Sequence, residues 1–225
     1  MTGAALLAAI AERHQAPPDT AASYLLGWST LGVATPAAAA LLTQRRVPDL
    51  SPASVSVHLD DDYRVERVTF GGPATAVLPG DPLAGAAHVI TLADHDALRR
   101  HLAAALLTHL APLVEAVRQR SRLGPRVRWG RVADSIGAAF LEVGHAIGDQ
   151  QAARAEADAL FAVAAPVLRA RPAWVPIQRD GVCHLYLRRG VCCLAYKTPH
   201  HGYCTSCPCL ADAEREHRLH DALDG

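Results

Sequence analysis

The cysteines limit most tightly what this chain can fold into. All six lie between Cys183 and Cys209, and the first 182 residues hold none. Cysteine used as a small buried hydrophobe would be scattered among apolar positions. Crowded cysteine builds a metal or cluster site, or a local disulfide knot. The spacing narrows the choice. Cys192 and Cys193 are neighbours, ten residues separate Cys193 from Cys204, and two separate Cys204 from Cys207. Cys204 and Cys207 form a common chelating bite, because a tight turn aims both thiolates inward. Adjacent side chains in extended backbone point to opposite sides, so bringing Cys192 and Cys193 to one ion demands a bent backbone. Two metals relax that demand, which favours a 2Fe–2S cluster over a single zinc. The pattern departs from the plant-type Cys-x4-Cys-x2-Cys with a distant fourth ligand. Cys183 and Cys209 fall outside it. Cys183 sits on an expected strand, and Pro208 is expected to turn Cys209 away, so both should be free.

The remaining composition excludes several classes. With 22 basic and 22 acidic residues the formal net charge is zero, which argues against a dedicated nucleic-acid binder. Residues 4–11 are apolar, but no basic stretch precedes them and Glu12 and His14 follow, so no secretory signal is expected. The longest weakly polar run, Ala21 to Leu42, is broken by Pro36 and polar residues, and no membrane-spanning segment is expected. The cytoplasm is the expected compartment, with the inner face of the membrane as a peripheral alternative. Neither Gly-x-Gly-x-x-Gly nor Gly-x4-Gly-Lys occurs, so a redox role would draw its electrons from a separate protein.

Periodicity predicts an α+β fold, mostly helical, with small antiparallel hairpins and a C-terminal cluster loop. Residues 4–15 and 20–34 read as helices split by Pro17-Pro18, and Pro36 opens a third short one. Tyr24 and Trp28, four apart, share a core face. Ser54–Leu59 and Arg64–Phe70 alternate in polarity around Asp60-Asp61-Asp62, which predicts a hairpin and a solvated turn. A third strand covers Thr75 to Leu78. Asp94 caps a helix to about Arg122, with Leu98, Leu102, Leu106, Leu110 and Leu113 at helical spacing and a kink at Pro112. His95, His101 and His109 lack the i, i+4 pairing of a zinc site and read as surface or satisfied histidines. Helices over Trp129–His145 and Asp149–Ala170 meet at Gly148-Asp149. Strands over Ala173–Ile177 and Val182–Leu187 flank the turn Arg179-Asp180-Gly181. Residues 211–223 form a short charged helix or tail. The expected division is a mainly helical domain over 1–180, with a hairpin insert near 54–78, and a cluster-binding segment over 181–225.

Arg188, Arg189, Cys192, Cys193, Leu194, Tyr196, Tyr203, Cys204, Cys207 and Pro208 together resemble the C-terminal signature of the FhuF-like ferric-siderophore reductases. Trp129-Gly130, Ala133 and Ser135 are similar to that family's mid-chain segment. The resemblance implies that Cys192, Cys193, Cys204 and Cys207 ligate a 2Fe–2S cluster, which passes one electron to a ferric siderophore. It implies a separate electron donor such as a ferredoxin or its reductase. Arg188, Arg189 and Lys197 flank the ligands, where positive charge attracts an acidic donor or an anionic chelate and favours the reduced cluster. Pairing of these arginines with Asp180 or the acidic tail is the competing role. His200 and His201 lie in the ten-residue gap; with four thiolates already present, neither is expected to be a ligand. The competing functions are an iron–sulfur sensor or regulatory binding protein, and a structural zinc knuckle.

Overall fold

The computed structural model describes residues 3–72, 74–199 and 201–224. In chain order its elements are α1 (Gly3–Arg13), α2 (Pro18–Gln44), β1 (Val47–Pro48), β2 (Val55–Leu59), β3 (Val65–Phe70), β4 (Ala74–Val77), β5 (Ile90–Thr91), α3 (His95–Arg118), α4 (Pro125–Ala146), α5 (Gln150–Val163), β6 (Ala173–Arg179), β7 (Val182–Arg188) and α6 (Asp212–Asp224), with a 3-10 turn over Ala195–Lys197. The α+β class and the helical majority agree with the sequence pattern.

The helical core is centred on α2. It touches α1, α3, α4, β1 and β3, most extensively α4. By length and composition this 27-residue helix could cross a bilayer, but half of its most apolar window is buried against other elements. It is the core helix of the fold. Tyr24 and Trp28 stack with ring centroids 4.8 Å apart, and His14 meets Tyr24 edge-on. The sequence predicts a break at Pro36, yet α2 runs through it. An internal proline costs about 3 kcal/mol. Ala37, Ala38 and Leu41 beyond it are fully buried, and burying one leucine alone offsets about 1.5–3 kcal/mol.

The expected hairpin is β2–β3, paired antiparallel from Val55↔Phe70 to Leu59↔Val65. Its turn is closed by the Asp60 carboxylate, which accepts the N–H groups of Asp62 and Arg64 at 2.9 and 2.8 Å. The strand expected at 75–78 exists as β4 but joins another sheet, antiparallel to β1 and parallel to β5. Strand alternation carries no information about partner choice.

Asp94 caps α3 by accepting the Ala97 N–H at 2.7 Å, and Asp149 caps α5 through Ala152 at 2.9 Å. The α3 stripe Leu98, Leu102, Leu106 and Leu110 is buried, and the helix continues through Pro112. α5 stops at Val163 rather than Ala170, because Pro166 has no N–H to extend the ladder. The β6–β7 hairpin turns on Asp180 and Gly181, both at positive φ (50° and 75°), the backbone a tight primed turn requires. The boundary expected at residue 180 falls in this turn.

The histidines of α3 do not cluster; His109 and His95 each hold a partner through one ring nitrogen, and His95 Nδ1 is buried without one. His109 Nδ1 lies 2.7 Å from the Leu50 carbonyl, and His95 Nε2 lies 2.9 Å from Glu156. Arg99 grips the same Glu156 carboxylate with both Nε and Nη2, at 2.6 and 3.0 Å. Burial pushes the Glu156 carboxyl up, but the bonds from Arg99 and His95 outweigh it and hold it below the ordinary 4.5. A depressed folded-state value contributes stability at neutral pH that is lost as pH falls through it. Glu156→Gln should therefore cost about 1–3 kcal/mol at pH 7. In urea unfolding, the gap between wild type and variant should shrink as pH drops below about 4.5.

Candidate metal centre

The loop between β7 and α6 carries five of the six cysteines. Its start is pinned from below. Gly190 N–H donates to Asp134 Oδ1 at 2.7 Å, and Val191 N–H donates to Oδ2 at 3.3 Å. Asp134, on α4, is 1% exposed. Position 190 must be glycine, since a Cβ there would lie 2.5 Å from the Arg171 carbonyl oxygen. One turn before Asp134 lies Arg131, also buried, with a guanidinium nitrogen 3.9 Å from the carboxylate. α2 makes room for it at Gly27, where a Cβ would come within 2.1 Å of Arg131 Nη2. Burial raises the Asp134 carboxyl to about 6 against the pull of Arg131 and the two N–H bonds, and burial lowers the Arg131 pKa. Both shifts say that desolvation outweighs attraction in this pair.

The far side of the loop is held by α2 and α6. Thr20 donates to the Leu194 carbonyl at 3.3 Å, and Tyr24 lies near Thr198. Arg215 of α6 is 2% exposed. Its Nη2 donates to the carbonyls of Cys207 and Leu210 at 2.6 and 3.0 Å, and its Nη1 reaches Asp212 at 2.6 Å. Arg189 N–H donates to the Ser206 carbonyl at 2.9 Å, which ties the two ends of the loop together.

Within this frame the thiols face each other across the two halves of the motif. Cys192 Sγ lies 3.9 Å from Cys207 Sγ, and Cys193 and Cys204 are near enough for each to shift the other's titration. The vicinal cysteines thus address different partners. The backbone bends just after them, with Leu194 at φ 63°, a left-handed conformation that costs a non-glycine residue about 1–3 kcal/mol. The bend aims the Leu194 N–H at Cys192 Sγ, 3.4 Å away. Cys207 Sγ receives the Cys209 N–H at 3.4 Å, and Cys204 the Arg189 guanidinium at 3.5 Å.

The protons are unevenly shared. The neighbouring Cys204 thiol, with Arg189 and Arg131 acting against burial, draws Cys193 down to about 5. Cys204 is pushed up by the neighbouring Cys193 and by burial. Burial and the neighbouring thiols push Cys192 up to about 12. Metal binding takes thiolates and so releases these protons.

Cys209 departs from expectation. Its sulfur lies within 4.8 Å of those of Cys192 and Cys207. The Cys207 carbonyl accepts the Leu210 N–H at 3.2 Å, closing a turn with Pro208 at the position proline favours. Pro208 therefore brings Cys209 back instead of turning it away. Cys183 lies elsewhere, on β7, with Gln151 Nε2 4.0 Å from its sulfur. None of the six forms a disulfide.

Of the basic rim, Arg189 contacts the Cys204 sulfur, Lys197 is exposed, and Arg188 stands 3.9 Å from Asp212. Arg188 thus meets the acidic start of α6, as the competing reading foresaw. Tyr196 and Tyr203 are also exposed, with ring centroids 5.1 Å apart. His201 Nδ1 lies 3.0 Å from Thr198 Oγ1, and His200 lies outside the described residues. Sequence reasoning missed Arg131, Asp134 and Arg215. For the first two, the all-round burial of Gly130 to Gly137 on α4 is a product of the fold and gave no signal in the sequence. Arg215 had none either, being one charge among many in the tail.

The donor set fits an iron–sulfur group: thiols from both halves of the motif gathered on one loop, with an N–H donor on the sulfurs of Cys192, Cys204 and Cys207. Residues 28–179 match the family model described as "Ferric iron reductase FhuF-like transporter", and residues 189–208 match "FhuF 2Fe-2S C-terminal domain". No curated protein matches the chain.

Removing the anchor should undo the site. Asp134→Ala leaves two N–H groups and the Arg131 charge buried without their partner, which should cost about 3–5 kcal/mol. Urea unfolding should show that loss, and visible absorption should show a protein that no longer keeps its metal.

Proposed function

This chain belongs to the FhuF-like family and carries its 2Fe–2S C-terminal domain, and from that premise we propose that it is a cytoplasmic ferric-siderophore reductase. Cys192 and Cys207 would hold one iron, and Cys193 and Cys204 the other. The observation that carries this reading is the contact of Cys192 with Cys207 across the two halves of the motif. A separation of 3.9 Å between Cys192 and Cys207 is close to the edge of a tetrahedron, about 3.8 Å, built on metal–sulfur bonds of about 2.3 Å. Two such pairs suit two metals better than one zinc.

When bound, the cluster supplies a one-electron couple. The chain's own residues decide where that couple sits and what reaches it. Buried Arg131 and the Arg189 guanidinium on Cys204 stabilise added negative charge and so favour the reduced state. The partial exposure of Cys192 and Cys204 leaves a short path to the surface. Tyr196, Tyr203 and Lys197 are exposed on the same loop, where the lysine would attract an anionic chelate. Siderophores hold Fe(III) through hard, charged oxygen donors. One electron lowers the charge on the iron and weakens that grip, so the product is a labile Fe(II) complex. The step needs no general acid and no covalent intermediate. A ferredoxin or its reductase would supply the electron.

Under anaerobiosis, the chemically reduced protein should be reoxidised by ferric hydroxamates or catecholates faster than by buffer. Fe(II) should then appear on a ferrous chelator in step with the recovery of cluster absorption. Reoxidation no faster than the buffer control across such a panel would end the reductase reading.

The rim makes a second expectation. Arg189→Gln should keep the cluster but move its potential to more negative values, by about 59 mV for each 1.4 kcal/mol of lost stabilisation. It should also slow second-order electron transfer at low salt. That kinetic loss should fade as the Debye length falls from about 30 Å at 0.01 M to about 10 Å at 0.1 M, whereas the potential shift should persist.

A further inference from the structure

Five thiols, not four, converge on this loop. The sulfurs of Cys192, Cys207 and Cys209 all lie within 4.8 Å of one another. The third is brought there by the turn that Pro208 opens and the Leu210 N–H closes on the Cys207 carbonyl. The turn is itself fixed by buried Arg215, which binds the carbonyls at both of its ends, Cys207 and Leu210. Cys209 is therefore not a surface cysteine that drifts near the site. It is held at one corner of it, beside the Cys192–Cys207 pair. It is also exposed, whereas Cys207 is buried, so its side chain can change rotamer without displacing packed neighbours.

We propose that Cys209 is a reserve ligand, able to occupy the metal position shared by Cys192 and Cys207 when either of them lets go. This rests on the assignment of those four cysteines as cluster ligands. The exchange is balanced without any oxidant. One iron–sulfur bond breaks and its thiolate takes up a proton, while the Cys209 thiol loses a proton and forms the new bond. The iron keeps its oxidation state and its count of sulfur ligands. The arrangement is one-sided. Cys209 belongs to the three-thiol group of Cys192 and Cys207, and that group does not include Cys193 or Cys204.

That asymmetry is the test. Cys192→Ala, Cys193→Ala, Cys204→Ala and Cys207→Ala, together with Cys209→Ala and the doubles Cys192→Ala/Cys209→Ala and Cys207→Ala/Cys209→Ala, would be loaded anaerobically with iron and sulfide. Bound iron and sulfide, visible absorption, electron paramagnetic resonance after reduction, and circular dichroism would be read on each. Cys209→Ala should keep the wild-type cluster. Cys192→Ala or Cys207→Ala should keep most of its iron with a shifted resonance, and adding Cys209→Ala should remove it. Cys193→Ala and Cys204→Ala should lose the cluster although Cys209 is present. Iodoacetamide followed by mass spectrometry gives a readout independent of loading yield: Cys209 should be alkylated in the loaded wild type and protected in the loaded Cys207→Ala or Cys192→Ala protein. Folded Cys192→Ala and Cys207→Ala proteins as empty as their doubles, or Cys209 alkylated equally in all loaded forms, would overturn the proposal and leave the four-ligand assignment intact. A wild type that takes up no 2Fe–2S cluster would overturn that assignment first, and this proposal with it.

Discussion

A buried carboxylate holds the functional loop to the helical core. Asp134 accepts the two successive N–H groups at Gly190 and Val191, the residues that lead directly into the vicinal cysteines. The acceptor sits on α4, where the helix is buried all round and cannot shift without disturbing α2. Arg131 stands one turn away as its counter-charge, in space left by the missing side chain of Gly27. Both groups suffer from leaving water, as their opposed pKa shifts show. Such a pair is poor at stabilising a fold and good at fixing one arrangement, because either charge alone in that place is far worse.

What the anchor fixes is the direction of the chain at Cys192. From there the bend at Leu194 turns its own N–H back onto the Cys192 sulfur. The Cys192–Cys207 contact joins the vicinal half of the motif to the chelating half. The sulfurs, Arg189 on Ser206, and Arg215 on the 207–210 turn are thus successive ties across one loop. A metal group placed there is reached by charge from two sides. Arg131 acts from the protein interior and Arg189 from the rim. The rim also presents exposed tyrosines and a lysine, which is the kind of surface an anionic chelate can use.

Much of this was legible in the residues themselves. The crowding and spacing of cysteines located the site. Asp94 and Asp149 marked two helix starts, and Asp180-Gly181 marked the hairpin that feeds the loop. These are short-range signals, set by backbone chemistry within four or five residues. What was not legible depends on partners distant in the chain. Pro36 reads as a helix start, and only the burial of Ala37, Ala38 and Leu41 keeps α2 continuous. β4 lies where a third strand is expected, yet its partners are β1 and β5. Pro208 signals a turn, but whether the turn carries Cys209 away or back depends on the Leu210 N–H and on Arg215. Arg131 and Asp134 read as helix-surface charges until α2 is laid over them.

The supports of the loop are old in the life of each molecule, and its ligands are young. Thr20 meets Leu194 across 174 residues of sequence, and Tyr24 lies near Thr198 over a similar span. A ribosome makes α2 and α4 well before the first cysteine of the motif leaves the exit tunnel, and chains fold as they emerge. The receiving surface for the loop can thus be formed while no thiol is present to be oxidised or to capture a stray ion. By the time Cys192 arrives, Asp134 is in place to receive the two residues before it.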